Sequence, residues 1–264
     1  MKFPKIIILF IAVLSFMTSS AQVVQNTFSS LNFKGKIKTL KESIFSGEMV
    51  SGEFQKLKTI QVDITQFDIN GKKTDLEIIG SDDNSLGQTK YIYNPKGLLT
   101  EGYFTSSRSI GYSKFRAARP NYTQNTFIYD DKDNNIEQNS LRSDGSILSK
   151  SIIKYDDLGK MTEKNDYDGN YRLKSIYSYK YDAKGNKILE TQYSEGKFID
   201  STNWKYDETN NIMEENHFYS IPKFNRNYIY KYELDEAGNW ITQLRFAKGW
   251  PTILTERKIK YYKE

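Results

Sequence analysis

The chain contains no cysteine and a single histidine, His217. Without thiols it can form neither disulfides nor thiolate metal sites, and it has no cysteine nucleophile. One imidazole excludes multi-histidine metal centres and leaves at most one histidine general base. No stretch sustains a 3.6-residue apolar period, so helix should be nearly absent. What the chain has in quantity is tyrosine, 20 in 264 residues. With only 38% hydrophobic residues but 14% aromatic ones, burial must rely on rings that cover area while keeping a polar tip.

The apolar run at 6–17 is 12 residues long, against the roughly 20 that a helix needs to cross a bilayer. Lys2 and Lys5 precede it, and Thr18, Ser19, Ser20 and Ala21 follow. A cationic start, a short apolar core and small residues describe a secretory signal peptide over 1–21, with cleavage after Ala21. No cysteine follows the core, so acylation of a lipoprotein cysteine is excluded. The expectation is an exported protein, periplasmic or extracellular, with no stable membrane span after cleavage. Of 38 Lys and Arg, loss of Lys2 and Lys5 leaves 36 against 33 Asp and Glu, a net charge of +3. That balance lacks the clustered basic face that nucleic acid demands.

Laying the chain against itself reveals a period. Tyr155-Asp156-Asp157-Leu158-Gly159 returns as Tyr181-Asp182-Ala183-Lys184-Gly185, as Tyr206-Asp207-Glu208-Thr209-Asn210 and as Tyr129-Asp130-Asp131-Lys132-Asp133. Looser copies start at Phe67, Tyr93 and Leu234, so the steps are 26, 36, 26, 26, 25 and 28 residues. Before each turn, residues alternate: Tyr177, Tyr179 and Tyr181 share one face, and Ile176, Ser178 and Lys180 the other. Alternation with aromatics is a half-buried strand. In the turn, Asp or Asn bonds backbone groups two positions on, and Gly or Asn takes a positive φ cheaply. A second strand follows, with an acid at Asp75, Glu101, Glu137, Glu163 and Glu214 and then an apolar position at Ile79, Leu141, Tyr167, Tyr193, Phe218 and Phe246. Opposite turns come at Asp144-Gly145, Asp168-Gly169, Glu195-Gly196 and Lys248-Gly249, with Pro222 in the unit that lacks Gly.

The predicted fold is therefore all-β, tandem β-hairpin repeats of about 26 residues. About sixteen strands form a long antiparallel meander, an elongated twisted sheet or a partly curled one. Residues 22–66 read as a divergent N-terminal capping repeat, and 67–264 as the array, with an insertion at 103–122. The stretch 259–262 reads as a lone closing strand. Terminal units should act as caps because one side of each faces water.

The Tyr-Asp-x-x-Gly-Asn turns resemble the YD repeats of the RHS family over about 65–264, most strongly at Tyr155, Tyr181 and Tyr206. In that family the repeats form a ribbon of hairpins, often curled into a shell around a toxin, and are associated with surface contact and carbohydrate binding. Seven or eight units are too few to enclose a cargo domain, so the encapsulating role is not carried over. Hairpin arrays of the MORN type are a weaker resemblance, since their Gly-aromatic spacing differs.

No motif carries chemistry of its own. Asp68, Asp130, Asp156, Asp182, Asp207 and Asp235 occupy one turn position, which a structural requirement explains better than a catalytic pair. Asp131, Asp133 and Asn135 imitate a calcium loop, but Ile136 stands where Gly is needed and Arg142 where the bidentate Glu belongs. His217 reads as a strand residue, and the Tyr stripes read first as packing ladders and second as a sugar-binding platform. Repetition leaves the insertion unexplained. Its Arg108, Tyr112, Lys114, Phe115, Arg116 and Arg119, with Trp250 after a turn, are the candidate ligand-binding residues. The expected function is a non-enzymatic exported or cell-envelope module, without cofactor or metal, binding a glycan or an envelope or surface protein. The alternatives are a glycan hydrolase drawing two carboxylates from Glu190, Glu195, Asp166 and Asp168, and a structural surface spacer.

Overall fold

The computed structural model describes residues 33–107, 122–247 and 250–263. Sixteen strands follow in chain order: β1 (Ile37–Val50), β2 (Glu53–Phe67), β3 (Lys73–Gly80), β4 (Ser85–Tyr93), β5 (Leu99–Ser106), β6 (Tyr122–Tyr129), β7 (Asn135–Leu141) and β8 (Ile147–Tyr155), then β9 (Met161–Asp168), β10 (Leu173–Tyr181), β11 (Lys187–Ser194), β12 (Lys197–Tyr206), β13 (Ile212–Ser220), β14 (Lys223–Leu234), β15 (Trp240–Ala247) and β16 (Trp250–Tyr261). Each pairs antiparallel with its chain neighbours, and β1 pairs with β16, so the sheet is a closed barrel. The predicted meander is present, but it is neither an open ribbon nor partly curled. The strands at the two ends, expected to face water as caps, lie against each other.

The turns share one construction. Asp156 Oδ1 accepts the N–H of Leu158 at 3.0 Å and of Lys160 at 2.8 Å, and Asp68, Asp130 and Asp207 do the same in their units. The fourth residue after the aromatic takes a positive φ, as in Gly185 at 91° and Asn210 at 65°. Side-chain hydrogen bonds from Asn134 and Asn186 hold the Asp130 and Asp182 carboxyls below their ordinary range. Each of these seven hairpins also carries a register shift beside the turn, as between Lys180 and Tyr181 or Lys205 and Tyr206. A bulge bends its strand and increases local twist. Five of the opposite-end pairings carry such shifts as well, so bends at both rims accompany the curl that brings the ends together.

Neighbouring hairpins are latched by tyrosine hydroxyls. Tyr93 donates to the Lys73 carbonyl, Tyr129 to Leu99, Tyr155 to Asn135, Tyr206 to Lys187 and Tyr232 to Ile212, all at 2.7–2.9 Å. In each case the acceptor is the first residue of the second strand in the preceding hairpin. The seam is latched differently: Tyr262, just after β16, donates across β1 to the carbonyl of Phe67, the last residue of β2, at 2.7 Å. Beside it, Asn239 of the last turn bonds both the N–H and the C=O of Lys34. Ile37, Leu40 and Phe67 form the buried apolar cluster here, with Phe33 and Ile259 packed on it.

A closed sheet has an inner and an outer face, and burial tells them apart, because side chains converge on a concave wall. Tyr179, Lys164, Thr202, Gln138, Phe127 and Ile153 are buried and share one face by register. The opposite face holds Lys154 and Lys205, whose side chains are 60% and 71% exposed. Glu137, Glu163 and Glu214 from the predicted acidic position point outward and pair with Lys150, Lys154 and Lys205, each at 2.7 Å. The later apolar position forms an outer row near the far rim, where Phe198 packs between Tyr193 and Phe218.

Candidate functional site on the inner wall

From β9 to β15 the inner wall alternates rings with charged groups held by defined partners. Lys164 lies 3.2 Å from Asp166 and 5.1 Å from the Tyr177 ring centre. Lys187 lies 2.6 Å from Glu190 and over the rings of Trp204 and Tyr179 at 4.5 and 5.4 Å. Burial raises the Tyr177 and Tyr179 hydroxyls, and nearby carboxylates including Glu190 and Asp166 add to it, so both stay protonated donors at neutral pH. Rings backed by fixed polar groups suit a ligand with an apolar face and a hydroxyl rim.

A hydrogen-bonded chain crosses β12, β13 and β14. His217 Nδ1 is 3.0 Å from Thr202 Oγ1 and its Nε2 is 2.7 Å from Glu215 Oε1, while the Tyr230 hydroxyl donates to Glu215 Oε2. Burial acts to raise the Glu215 carboxyl. The bonds from His217 and Tyr230, with the charges of His217 and Arg245, outweigh burial and leave Glu215 below its ordinary range. Glu215 Oε1 thus accepts from the His217 Nε2–H, and Nδ1 shares a hydrogen bond with the Thr202 hydroxyl. Around this chain the His217 ring stacks on Tyr219 at 6.0 Å, and Tyr219 stacks on Phe224 at 4.5 Å.

The sequence-derived candidates fare unevenly. Arg108, Tyr112, Lys114, Phe115, Arg116 and Arg119 lie outside the described residues, as does the signal segment 1–21. Residues 103–106 belong to β5, which pairs regularly with β6 through Thr105 and Tyr122. Trp250 opens β16 opposite Ala247. Of the four acids named for hydrolysis, Asp168 caps a turn by accepting from Asn170 and Arg172, and Glu195 sits in a tight turn at φ 50°. Asp166 and Glu190 do face inward, but β10 separates them and their registers differ by four residues. Two strand spacings and four residue rises place them on the order of 16 Å apart, too far for paired catalysis. Asn135 turns into the wall to bond Ile128 and Glu137 carbonyls, and no group of three or more metal-binding side chains gathers among the described residues.

Two features escaped sequence reasoning. Asp200 is pushed above its ordinary range by burial and by Glu190, and Thr202, Glu215 and His217 converge only through register. The available signal was negative: at the positions equivalent to Thr202 and His217, no other unit has a hydroxyl paired with an imidazole.

The fold and wall define a sixteen-stranded antiparallel barrel with an aromatic, charge-paired interior. No family model and no curated protein matches the sequence. Among solved structures, a porin-like protein from Bacteroides uniformis is similar with a TM-score of 0.57 at 9% identity, over 86% of this chain and 99% of that one. A porin-like protein from Bacteroides vulgatus gives 0.37 at 12% identity, over 86% and 99%. The TcdB2-TccC3-Cdc42 structure gives 0.23 at 9% identity, over 77% of this chain and 15% of that one. The first likeness concerns fold alone, and the other two carry no argument.

Proposed function

We propose that this chain is an exported, water-soluble binding module of the YD-repeat kind that takes a glycan against the inner wall of its barrel. The observation that carries the reading is the set of charged and amide groups on the outer face, where they interrupt exposed apolar side chains such as Ile128 and Ile229. A barrel in lipid carries an apolar outer band about 25 Å tall. Here the outer face holds the Lys150–Glu137, Lys154–Glu163 and Lys205–Glu214 pairs and a ladder of Asn203, Asn216 and Asn227, while Trp204, Tyr177 and Tyr179 face inward. Porins of sixteen to eighteen strands leave an aqueous channel, and a channel of that kind here would let a ligand reach Trp204 and Tyr177.

The test is a glycan array with the mature chain, run beside flotation on phospholipid vesicles. The expected result is binding to a defined glycan set, lost in a folded Trp204→Ala variant, with no flotation. An empty array with the protein floating on vesicles would reverse the reading.

One observation favours a hydrolase as second reading. Glu190 and Asp200 are diagonal neighbours on β11 and β12, their backbone positions about 7–8 Å apart, from which two carboxyls can span the roughly 6.5–9.5 Å of inverting glycosidases. The raised Asp200 carboxyl suits a general acid. Turnover of a bound glycan that Asp200→Asn abolishes would promote it.

A further inference from the structure

We infer that the inner wall of β13–β15 is a subsite for an acidic oligosaccharide, with Arg226 taking a uronate carboxylate beside the Tyr219–Phe224 ring pair and Arg245, roughly 14 Å along the wall by one strand spacing and four residue rises, taking the carboxylate of another residue; this rests on the glycan reading above.

The register puts Arg226 opposite His217 and Arg245 opposite Tyr230, so both guanidinium groups rise from the inner face. Three other cations of this wall are ion-paired: Lys164 with Asp166, Lys187 with Glu190, Arg257 with Glu42. Arg226 and Arg245 have no ion pair among the described residues. Each instead lies against a ring, Arg226 at 5.2 Å from the Phe224 centre and Arg245 at 4.6 Å from that of Tyr228. Stacking occupies the guanidinium face and holds the side chain, while the edge keeps its planar set of donors, whose geometry fits a carboxylate bidentately.

The surroundings are short of acceptors. Both oxygens of Glu215 are already bonded, to His217 and to Tyr230, and Arg245 Nε is buried without an acceptor. Asp200 faces the same wall opposite Tyr219, two positions from Thr202. Arg226, without an ion pair and beside the stacked Tyr219 and Phe224, offers both things an acidic pyranose needs, a flat apolar surface for the ring and a fork for the carboxylate. Arg245, whose charge acts on Glu215 without bonding it, offers a second fork farther along. A neutral sugar uses the flat surface alone.

The experiment is calorimetric titration of the mature full chain with a hexamer of galacturonic acid and with the corresponding galactose hexamer. Wild type should bind the uronate hexamer more tightly, by about tenfold or more for one charge-assisted bidentate contact, with the advantage shrinking in salt. Arg226→Gln should remove most of that advantage and leave galactose binding unchanged, while Arg226→Lys should restore a part. Arg245→Gln, checked for folding by circular dichroism, should act in the same direction. Equal binding of the two hexamers, or an advantage that survives both Gln variants, would overturn the subsite while leaving the glycan reading intact. Binding of neither hexamer, with an empty glycan array, would remove both.

Discussion

His217 Nε2 lies 2.7 Å from Glu215 Oε1, two residues apart on β13 with both side chains on the inner face. The contact orients the chain's only imidazole and helps to keep Glu215 ionised within the wall. Because the Glu215 carboxyl is held below its ordinary 4.5, it contributes stability above that value and loses it as pH falls through the lowered one. Urea unfolding followed from about pH 7 down to about pH 3 should show such a loss, and Glu215→Gln should flatten it. Glu215→Gln should itself cost about 1.5–3 kcal/mol at neutral pH, the worth of a hydrogen bond to a charged group. Asp200 acts with the opposite sign: its raised carboxyl favours the folded state once protonated, so Asp200→Asn should stabilise the protein at neutral pH. An unchanged acid limb in Glu215→Gln would reject the assignment.

The tyrosine latches make a second prediction. Tyr155→Phe and Tyr206→Phe keep the ring and delete one donor each, leaving the Asn135 and Lys187 carbonyls short of a partner. Each should cost about 0.5–1.5 kcal/mol. Tyr193→Phe on the outer face, where the residue is 38% exposed, should cost almost nothing. Equal losses at all three positions in denaturant titrations would show that the hydroxyls do not act as latches.

Turns and strands were legible in the sequence because their causes are local. Asp156 bonds residues two and four ahead of it, and Tyr177, Tyr179 and Tyr181 alternate within one strand. Closure was not legible, since it goes with register shifts between strands that no single segment records. Alternation separated two faces at Tyr179 and Lys180 without telling which is concave. The site was hidden for a related reason: Thr202 and His217 stand fifteen residues apart and meet only because β12 and β13 align. The tyrosine excess, read as a packing ladder, gained a further cause in hydroxyl bonds between adjacent strands of successive hairpins, from Tyr155 to Asn135 and from Tyr206 to Lys187.

Gly185 tests the turn. Its φ is 91°, and a Cβ there would meet nothing nearer than Lys160 Nζ at 3.8 Å, so a substitution is judged by backbone conformation rather than by a clash. Gly185→Val should cost about 1–3 kcal/mol. Gly185→Asn should cost less, because Asn210 already holds this conformation at the same place in the next unit. Amide exchange should speed up in β10 and β11 and stay unchanged in β2 and β3. Uniform acceleration along the chain would contradict the picture of hairpins stabilised by their neighbours.

Arg257 tests the closure. It sits on β16, bonds Glu42 of β1 through Nε at 2.9 Å, and lies 3.2 Å from the Trp240 ring centre of β15. One side chain thus ties the last two strands to the first. Arg257→Ala removes the ring contact and leaves Glu42, whose side chain is 26% exposed, without its cation. Breaking a buried pair in this way costs about 3–5 kcal/mol, and the partial exposure of Glu42 argues for the lower end. The damage should start at the seam, with exchange rising first in β1 and β16 while β8 and β9 stay protected. Adding Glu42→Gln should recover part of the loss, because the stranded charge is gone. Seam amides that exchange no faster in Arg257→Ala than in wild type would mean that the barrel does not depend on this link for its closure.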